Sequence, residues 1–249
     1  MSKVALAVLL LCSVQEEKKG PVDPKPRISM AIPLGVVPGT TSKITVRGLN
    51  LDNLTELKLS EPIEGATVTI KSKGKAEIPK ETEPALYGDT KVDVEIKMPA
   101  EAPEKIALVA VNAAGQTAPH ELPVLAKEKL VLEKEPNGGF ATAQPVEAGQ
   151  TVQGSVSQAL DVDVFKIIGK KGETWVFEVE AQRRGSVLDA MLTLHDAASH
   201  LVASADDAQT SRDPVLRVTL PADGPYSVTL MDAHHGGGSS HVYLLRVTK

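Results

Sequence analysis

Five residues with oxygen-bearing side chains are the strongest candidates for chemistry in this sequence. Glu133, Glu135 and Asn137 alternate along the chain, so in an extended segment all three face one side. Asp161 and Asp163 alternate in the same way just before a strand-like segment. Calcium takes about six to eight oxygen ligands from carboxylates, amides and carbonyls. If the fold joins these two edges they can hold Ca²⁺; otherwise they are solvated strand edges with ordinary acidic residues.

A second acidic cluster lies further along the chain. Asp206, Asp207 and Asp213 fall in one polar stretch, which could bind calcium in the same way. Arg212 lies in the same stretch and can pair with these aspartates locally. We therefore interpret this cluster as a solvated hairpin loop in preference to a metal site.

Three histidines flank a glycine- and serine-rich segment near the end of the sequence. His234, His235 and His241 are close enough along the chain that their imidazoles could bind zinc or copper. Residues 236–240 are, however, typical of a flexible connection between two strands. Loop residues are therefore the preferred interpretation of these histidines.

The sequence contains no recognisable catalytic motif. It has neither a G-x-S-x-G elbow nor an H-E-x-x-H pair, and no P-loop lysine follows the glycines at 236–238. Its single cysteine, Cys12, lies in the N-terminal apolar run, so the mature chain is expected to lack a thiol nucleophile. The sequence therefore predicts that the protein is not an enzyme.

Short segments of alternating polar and apolar residues must position these side chains. In the segment 91–98, for example, Val92, Val94 and Ile96 fall on one face. Glycine and proline break the chain between such segments, and no segment shows a sustained helical period, which favours β-sandwiches. The predicted strands are 42–47, 64–71, 91–98, 106–111, 151–156, 163–168, 174–181, 191–195, 215–220, 226–231 and 241–247.

Composition narrows the class of partner. The 249 residues carry a formal net charge of -5, which disfavours nucleic acid because a phosphate-binding surface needs clustered lysine and arginine. Hydrophobic residues make up 42% of the chain but aromatic residues only 3%, so we expect cores of valine, leucine, isoleucine and alanine. A monomer is expected.

The N-terminus has the pattern of a secretory signal peptide. Lys3 precedes a continuous apolar run at 4–11, which is too short to span a bilayer as a helix, and a polar stretch follows. Cleavage after Ser13 is the preferred interpretation, and lipid anchoring through Cys12 is the alternative. The protein is therefore predicted to be secreted, periplasmic or on the cell surface, without a transmembrane span.

The second half of the chain resembles the bacterial pre-peptidase C-terminal (PPC) domain. The resemblance rests on an ordered series of short matches over nearly half the sequence, and each match alone is weak. The matches are Glu135-Pro136-Asn137, Ala141-Thr142-Ala143, Gly154-Ser155-Val156, 161–165, 171–174, 178–181, Gly185-Ser186, Leu188-Asp189, 192–194, Asp206-Asp207 and 221–226.

This resemblance implies an exported, calcium-associated β-sandwich of the jelly-roll type. Domains of this family usually accompany secreted proteases and other surface proteins, and some bind an extracellular polymer. In calcium-binding relatives the ligands occupy the positions that match Glu133, Glu135, Asn137, Asp161 and Asp163.

The first half resembles, more loosely, the immunoglobulin-like IPT/TIG domains. The matching residues are Pro38-Gly39-Thr40-Thr41, Ile44-Thr45-Val46, 48–51, 92–99 and 109–115. The resulting prediction is an all-β protein of two tandem β-sandwiches. Its parts are a signal peptide (1–13), a linker (14–26), an Ig-like sandwich (27–125), a linker (126–132) and a PPC-like sandwich (133–249).

The predicted function is an exported, non-catalytic binding or accessory protein, with Ca²⁺ as its expected cofactor. Its partner is expected to be an extracellular polymer or a secreted protein. The alternative is a structural spacer, or accessory domain pair, that serves a secreted peptidase or another partner enzyme. The sequence leaves open whether 126–132 is a short strand or a stiff linker.

Overall fold

The structure is a computed structural model that describes residues 23–78, 87–208 and 211–249. Within these ranges the chain forms β-strands and one turn of 3-10 helix at Gln182–Arg184, which confirms the all-β class. The predicted signal peptide, Cys12 and most of the first linker lie outside the described residues. No helix within them is long and apolar enough to cross a bilayer.

Strands between residues 27 and 123 form two antiparallel sheets. The strands of the first sheet are β1 (Arg27–Ile32), β2 (Thr41–Leu49), β4 (Thr67–Lys75) and β5 (Thr90–Lys97), in the order β1-β2-β5-β4. Those of the second sheet are β3 (Glu56–Leu59), β6 (Lys105–Asn112), β7 (Gly115–Gln116) and β8 (His120–Pro123), with β6 paired to each of the others.

The core of this first sandwich follows the predicted alternation. Val92, Val94 and Ile96 of β5 are fully buried, while the residues between them face outward. They pack in one cluster with Leu108 of β6 and Ile44 of β2. Burial of such side chains on the inner faces of two sheets is the main force that holds a sandwich together.

Strands from residue 130 onward form two further sheets. The strands of one sheet are β10 (Gln144–Pro145), β12 (Val162–Gly169), β14 (Ala190–His195), β15 (Leu201–Ala205) and β17 (Gly224–Asp232), in the order β10-β12-β17-β14-β15. Those of the other are β9 (Leu130–Leu132), β11 (Thr151–Ser155), β13 (Thr174–Glu180), β16 (Val215–Thr219) and β18 (Val242–Thr248), in the order β16-β13-β18-β11-β9.

The alternative left open for residues 126–132 is resolved in favour of a strand for its second half. Leu130–Leu132 pairs in parallel with β11, so this part of the predicted linker belongs to the second sandwich. The pairing also fixes the direction of the acidic segment that follows, because Glu133 donates its backbone N–H to the carbonyl of Gln153, 3.0 Å away.

The core of the second sandwich is richer in aromatic residues than the composition predicts. Five of the seven aromatic residues of the chain lie in this one cluster: Phe165, Trp175, Phe177, Tyr226 and Tyr243. The other buried residues of this cluster are valine, leucine, isoleucine and alanine, as expected. The low overall share of aromatic residues did not show that most of them gather in this core.

The two sandwiches contact each other directly. Met30 and Leu34 of the first pack with Val242 and Leu244 of the second in a separate buried cluster. Nearby, Gly185 has φ 87°, and a Cβ at this position would lie 1.9 Å from the carbonyl oxygen of Ser29. Only glycine permits this approach.

Candidate metal centre

Two chain segments meet at one end of the second sandwich. Residues 133–137 follow β9, and residues 161–163 span the start of β12. The backbone N–H of Val164 donates to the carbonyl of Asn137, at 3.2 Å, and joins the two segments. The oxygen-rich edges that the sequence places apart by about 25 residues are therefore neighbours in the fold.

Three carboxylates converge at this junction. Glu133, Glu135 and Asp163 each contribute one oxygen, and these oxygens all lie within 4.8 Å of one another. Asp163 is fully buried, Glu133 is partly buried and Glu135 is exposed. Like charges this close repel each other strongly when one of them is out of solvent.

Asn137 completes the junction from within the fold. Its side chain is fully buried, and its Nδ2 donates to Glu133 Oε1 at 3.0 Å. Its backbone N–H donates to Glu135 Oε2 at 2.9 Å. The side-chain oxygen Oδ1, in contrast, is buried without a hydrogen-bond donor.

Only one of the two carboxylate oxygens of Asp163 accepts a hydrogen bond. The hydroxyl of Tyr243 donates to Asp163 Oδ2 at 2.6 Å, and Tyr243 is itself fully buried. Asp163 Oδ1 is buried with no donor. A buried polar atom without a partner is costly, so the Oδ1 atoms of Asn137 and Asp163 are each candidates to bind a ligand.

The pKa values of Asp163 and Glu133 are shifted in the direction expected where negative charges are buried close together without a positive charge. Burial raises the pKa of Asp163 to about 7, and the negative charges of Glu133, Asp161 and Glu135 act in the same direction. Burial and the neighbouring Glu135 also raise the pKa of Glu133. A bound cation would reverse both effects, because it favours the ionised carboxylates.

The donor set fits a hard divalent cation. All of its free atoms are oxygens, which is the preference of calcium and magnesium and unlike the nitrogen and sulfur ligands of structural zinc. Glu133, Glu135, Asp163 and the Oδ1 of Asn137 are the groups that would hold the ion.

Asp161, the fifth predicted ligand, has another partner. Its Oδ2 accepts hydrogen bonds from the backbone N–H and the Oγ of Ser157, at 2.7 and 2.8 Å, which closes the turn before β12. It adds negative charge to the junction but does not belong to the group of three converging carboxylates. Its role as a ligand stays a prediction.

Two residues of the junction, Gly154 and Tyr243, are not among the residues predicted from the sequence. Gly154 of β11 is the direct cross-strand partner of Tyr243 on β18. A Cβ on Gly154 would lie 2.5 Å from the Tyr243 hydroxyl and 2.8 Å from Glu133 Cβ, so the glycine makes room for both side chains. Only the register of strands far apart in sequence reveals this relationship.

The second acidic cluster is rearranged relative to its prediction. Asp206 and Asp207 converge with Asp189 rather than with Asp213. Asp213 is fully buried, and its carboxylate accepts the backbone N–H groups of residues 181–183. Arg212 lies 3.6 Å from Asp189. Asp213 therefore caps the 3-10 helix, because three free N–H groups at one turn suit a carboxylate.

Two histidines of the last loop, His234 and His241, have different contacts. The Nε2 of His234 lies 3.3 Å from Asp189 Oδ2, whereas the Nδ1 of His241 is buried without a partner. No group of three metal-ligating side chains within the described residues includes a histidine.

Comparison with known proteins found similarities to solved structures only. No protein-family model matches the chain, and no curated protein matches it. Among solved structures, the chain is similar to the pre-peptidase C-terminal domain of collagenase from Bacillus anthracis, with 16% identity and a TM-score of 0.36, over 43% of this chain and 94% of that domain. This is the family that the second half resembles in sequence.

Two other solved structures are similar to this chain. One is PliG, a periplasmic inhibitor of g-type lysozyme from Aeromonas hydrophila, with 15% identity and a TM-score of 0.35, over 48% of this chain and 97% of that one. The other is SGBP-B of the Bacteroides ovatus mixed-linkage glucan utilization locus, with 16% identity and a TM-score of 0.26, over 93% of this chain and 44% of that one. Likenesses at these scores assign no function to the chain.

Proposed function

We propose that this chain is an exported, non-catalytic binding or accessory protein that is stabilised by calcium and contacts an extracellular polymer or a secreted protein. The observation that carries the proposal is the junction of Glu133, Glu135, Asn137 and Asp163, with its converging carboxylates and orphaned oxygens. Such a junction weakens the fold unless a cation neutralises it. Extracellular modules bind calcium with dissociation constants of about 10⁻⁴ to 10⁻³ M, which suits an exported protein.

A groove on the second sandwich supports contact with a partner. Its volume is about 750 Å³, and Ile168, Trp175, Lys166 and Lys249 are among its lining residues. Ile168 is 66% exposed, although it lies on a core strand. The Lys249 ammonium lies 4.6 Å from the centre of the Trp175 ring. Lys249 also pairs with Glu173, 3.0 Å away, and Glu147 is a further lining residue. A groove with apolar residues and charges of both signs suits a ligand with both apolar and polar groups.

Retention of ligands on the immobilised full chain tests the proposal. The probes are a panel of extracellular polysaccharides, fibrous collagen and the native secreted proteins, each in calcium and in chelator. We expect one class of probe to be retained in calcium, and Ile168→Asp to abolish its retention. Leu201→Asp is the matched control, because Leu201 is 60% exposed on β15 and does not line the groove.

Two results would contradict the proposal. One is that no polymer and no secreted protein is retained by the wild-type chain. The other is that Ile168→Asp retains its ligand as well as Leu201→Asp does, since the groove would then not be the contact surface.

A spacer for a partner enzyme is the second candidate function. The buried cluster between the sandwiches favours it, because a spacer must hold its parts in a fixed arrangement. Recovery of a stable complex with a secreted enzyme that Ile168→Asp leaves intact, without retention of any polymer, would identify this function.

A further inference from the structure

A second unusual site lies where the last loop of the second sandwich covers β2 of the first. Alternation in β2 puts Ile44 and Val46 in the core and Arg47 on the outer face. Arg47 is nevertheless only 7% exposed. Its Nη1 donates to the Oγ of Ser240 at 3.1 Å, so residues from the second sandwich contribute to its burial.

The guanidinium of Arg47 is buried against uncharged groups. Besides Ser240, its acceptors are the backbone carbonyls of Glu77 and Gly88, at 2.6 and 3.2 Å from Nη2. Its Nε–H is buried with no acceptor. Within the described residues no carboxylate forms an ion pair with Arg47. A buried cation without a counter-charge is costly, and arginine can bind oxyanions through paired N–H groups.

A small cavity adjoins this guanidinium. Its volume is about 220 Å³, and it is lined from both sandwiches, by Arg47, Glu77 and Tyr87 on one side and by Ser240 and His241 on the other. The Nδ1 of His241 is a second buried polar atom with no partner. Burial lowers the pKa of His241, so the ring is neutral and one of its nitrogens carries a hydrogen.

Free donors face the cavity, and the acid among its lining residues, Glu77, is exposed. Arg47 Nε has a free N–H, and the hydroxyl of Ser240 accepts from Arg47 and can donate its own hydrogen. Asp232, the nearest buried acid that acts on His241, is occupied, because its oxygens accept three backbone N–H groups. Positive charge with free donors in a small cavity is the chemistry of an oxyanion site.

We propose that the cavity between Arg47, Ser240 and His241 binds a small oxyanion, such as sulfate or a carboxylate group, and that the bound anion ties the two sandwiches together. This site is distinct from the junction that is proposed to hold calcium. The two proposals can therefore fail independently, because loss of anion binding would leave the calcium response intact.

Calorimetric titration of the full chain with sodium sulfate tests the proposal, against sodium chloride at equal ionic strength. We expect saturable sulfate binding to the wild-type chain and a parallel rise in melting temperature. Arg47→Met should abolish the binding. Arg217→Met should leave it unchanged, since Arg217 is an exposed arginine on β16 that lies away from the cavity.

Two milder variants keep the test decisive if Arg47→Met does not fold. Ser240→Ala removes one donor and should weaken sulfate binding about tenfold. Arg47→Lys keeps the charge but removes the Nε–H, and should weaken binding by a similar factor. Competition with sodium acetate then shows whether the site prefers a tetrahedral oxyanion or a carboxylate.

Two outcomes would overturn the proposal. The first is the absence of saturable sulfate binding to the wild-type chain. The second is wild-type affinity in both Ser240→Ala and Arg47→Lys, which would place any bound sulfate elsewhere on the surface.

Discussion

At the scale of single residues, the proposed calcium site depends most on Asp163. It is fully buried, three acidic neighbours act on it, and its one hydrogen bond comes from Tyr243. Without a cation such a carboxylate destabilises the fold at neutral pH, and with one it becomes a ligand. Mutation of Asp163 is therefore expected to have opposite effects on the stability of the fold in the absence and in the presence of calcium.

We expect Asp163→Asn to stabilise the calcium-free chain at pH 7.5 by about 1–3 kcal/mol, because it removes a buried charge. The amide oxygen can still accept from Tyr243. The same variant should lose the stabilisation by calcium. Urea unfolding in chelator and in calcium measures both effects. Asp93→Asn, in the first sandwich, is the control that should keep the calcium response. If the variant is less stable to urea than the wild type in chelator, the expectation is wrong.

The gain from Asp163→Asn should depend on pH. The pKa of Asp163 is about 7 in the folded chain, above its ordinary value, so the folded state holds the proton more tightly than the unfolded state does. Its stabilising contribution is complete below the unfolded pKa and is lost as the pH rises through about 7. Unfolding in chelator from pH 8 to pH 5 should therefore show the gain shrinking.

The quantity to follow in this pH series is the difference in unfolding free energy between the wild type and Asp163→Asn. His120 and His241 have pKa values lowered by burial, and they favour the folded state at higher pH. Their effects are common to both proteins and cancel in the difference. A difference between wild type and variant that stays constant from pH 8 to pH 5 would show that Asp163 is not perturbed.

The residues of the junction could be predicted only where the signal is local. Glu133, Glu135 and Asn137 alternate on one extended segment, and their spacing is visible in the sequence. Tyr243 lies 80 residues from Asp163, and its hydrogen bond depends on the order of strands in two sheets. The same reason explains why the burial of Arg47 could not be predicted.

At the scale of elements, the register between β11 and β18 decides whether the junction can form. Gly154 stands opposite Tyr243, and the absence of a side chain lets the phenol reach Asp163. Alternation predicted strands with one buried face well, such as Thr90–Lys97. For Thr67–Lys75, which has no buried residue, the predicted segment 64–71 began three residues too early. Alternation missed short strands such as Glu56–Leu59 and His120–Pro123, whose places are determined by pairing with β6.

We expect Gly154→Ala to cost about 1–3 kcal/mol and to weaken calcium binding about tenfold, because the new methyl group displaces Tyr243 and Glu133. Gly74→Ala is the matched control: Gly74 also lies within a strand, β4, and a Cβ there meets no atom within 4 Å. Thermal unfolding with and without calcium measures both variants. Equal behaviour of the two would contradict the proposed role of Gly154.

At the scale of the whole molecule, the two sandwiches share a buried cluster and a close backbone contact. The sequence predicted two sandwiches but left their mutual arrangement open, because the residues that join them, such as Met30 and Leu244, look like ordinary core residues. Their second role depends on tertiary contacts that no local pattern contains.

We expect Gly185→Ala to weaken the contact between the sandwiches and to separate their unfolding in calorimetry. Gly172→Ala is the matched control, since φ is 87° at Gly185 and 85° at Gly172, but a Cβ meets no atom within 4 Å at Gly172. Both variants should lose about 1–2 kcal/mol from backbone strain. Gly185→Ala should lose more, and equal losses would show that the contact is not needed.

A calcium titration of the thermal unfolding of the full chain is the decisive test of the proposed calcium site. We predict that millimolar calcium raises the melting temperature by several degrees, that chelator reverses the rise, and that Asp163→Asn and Asn137→Ala abolish it while Asp93→Asn keeps it. An unchanged melting temperature of the wild-type chain in calcium and in chelator would show that the junction does not bind calcium.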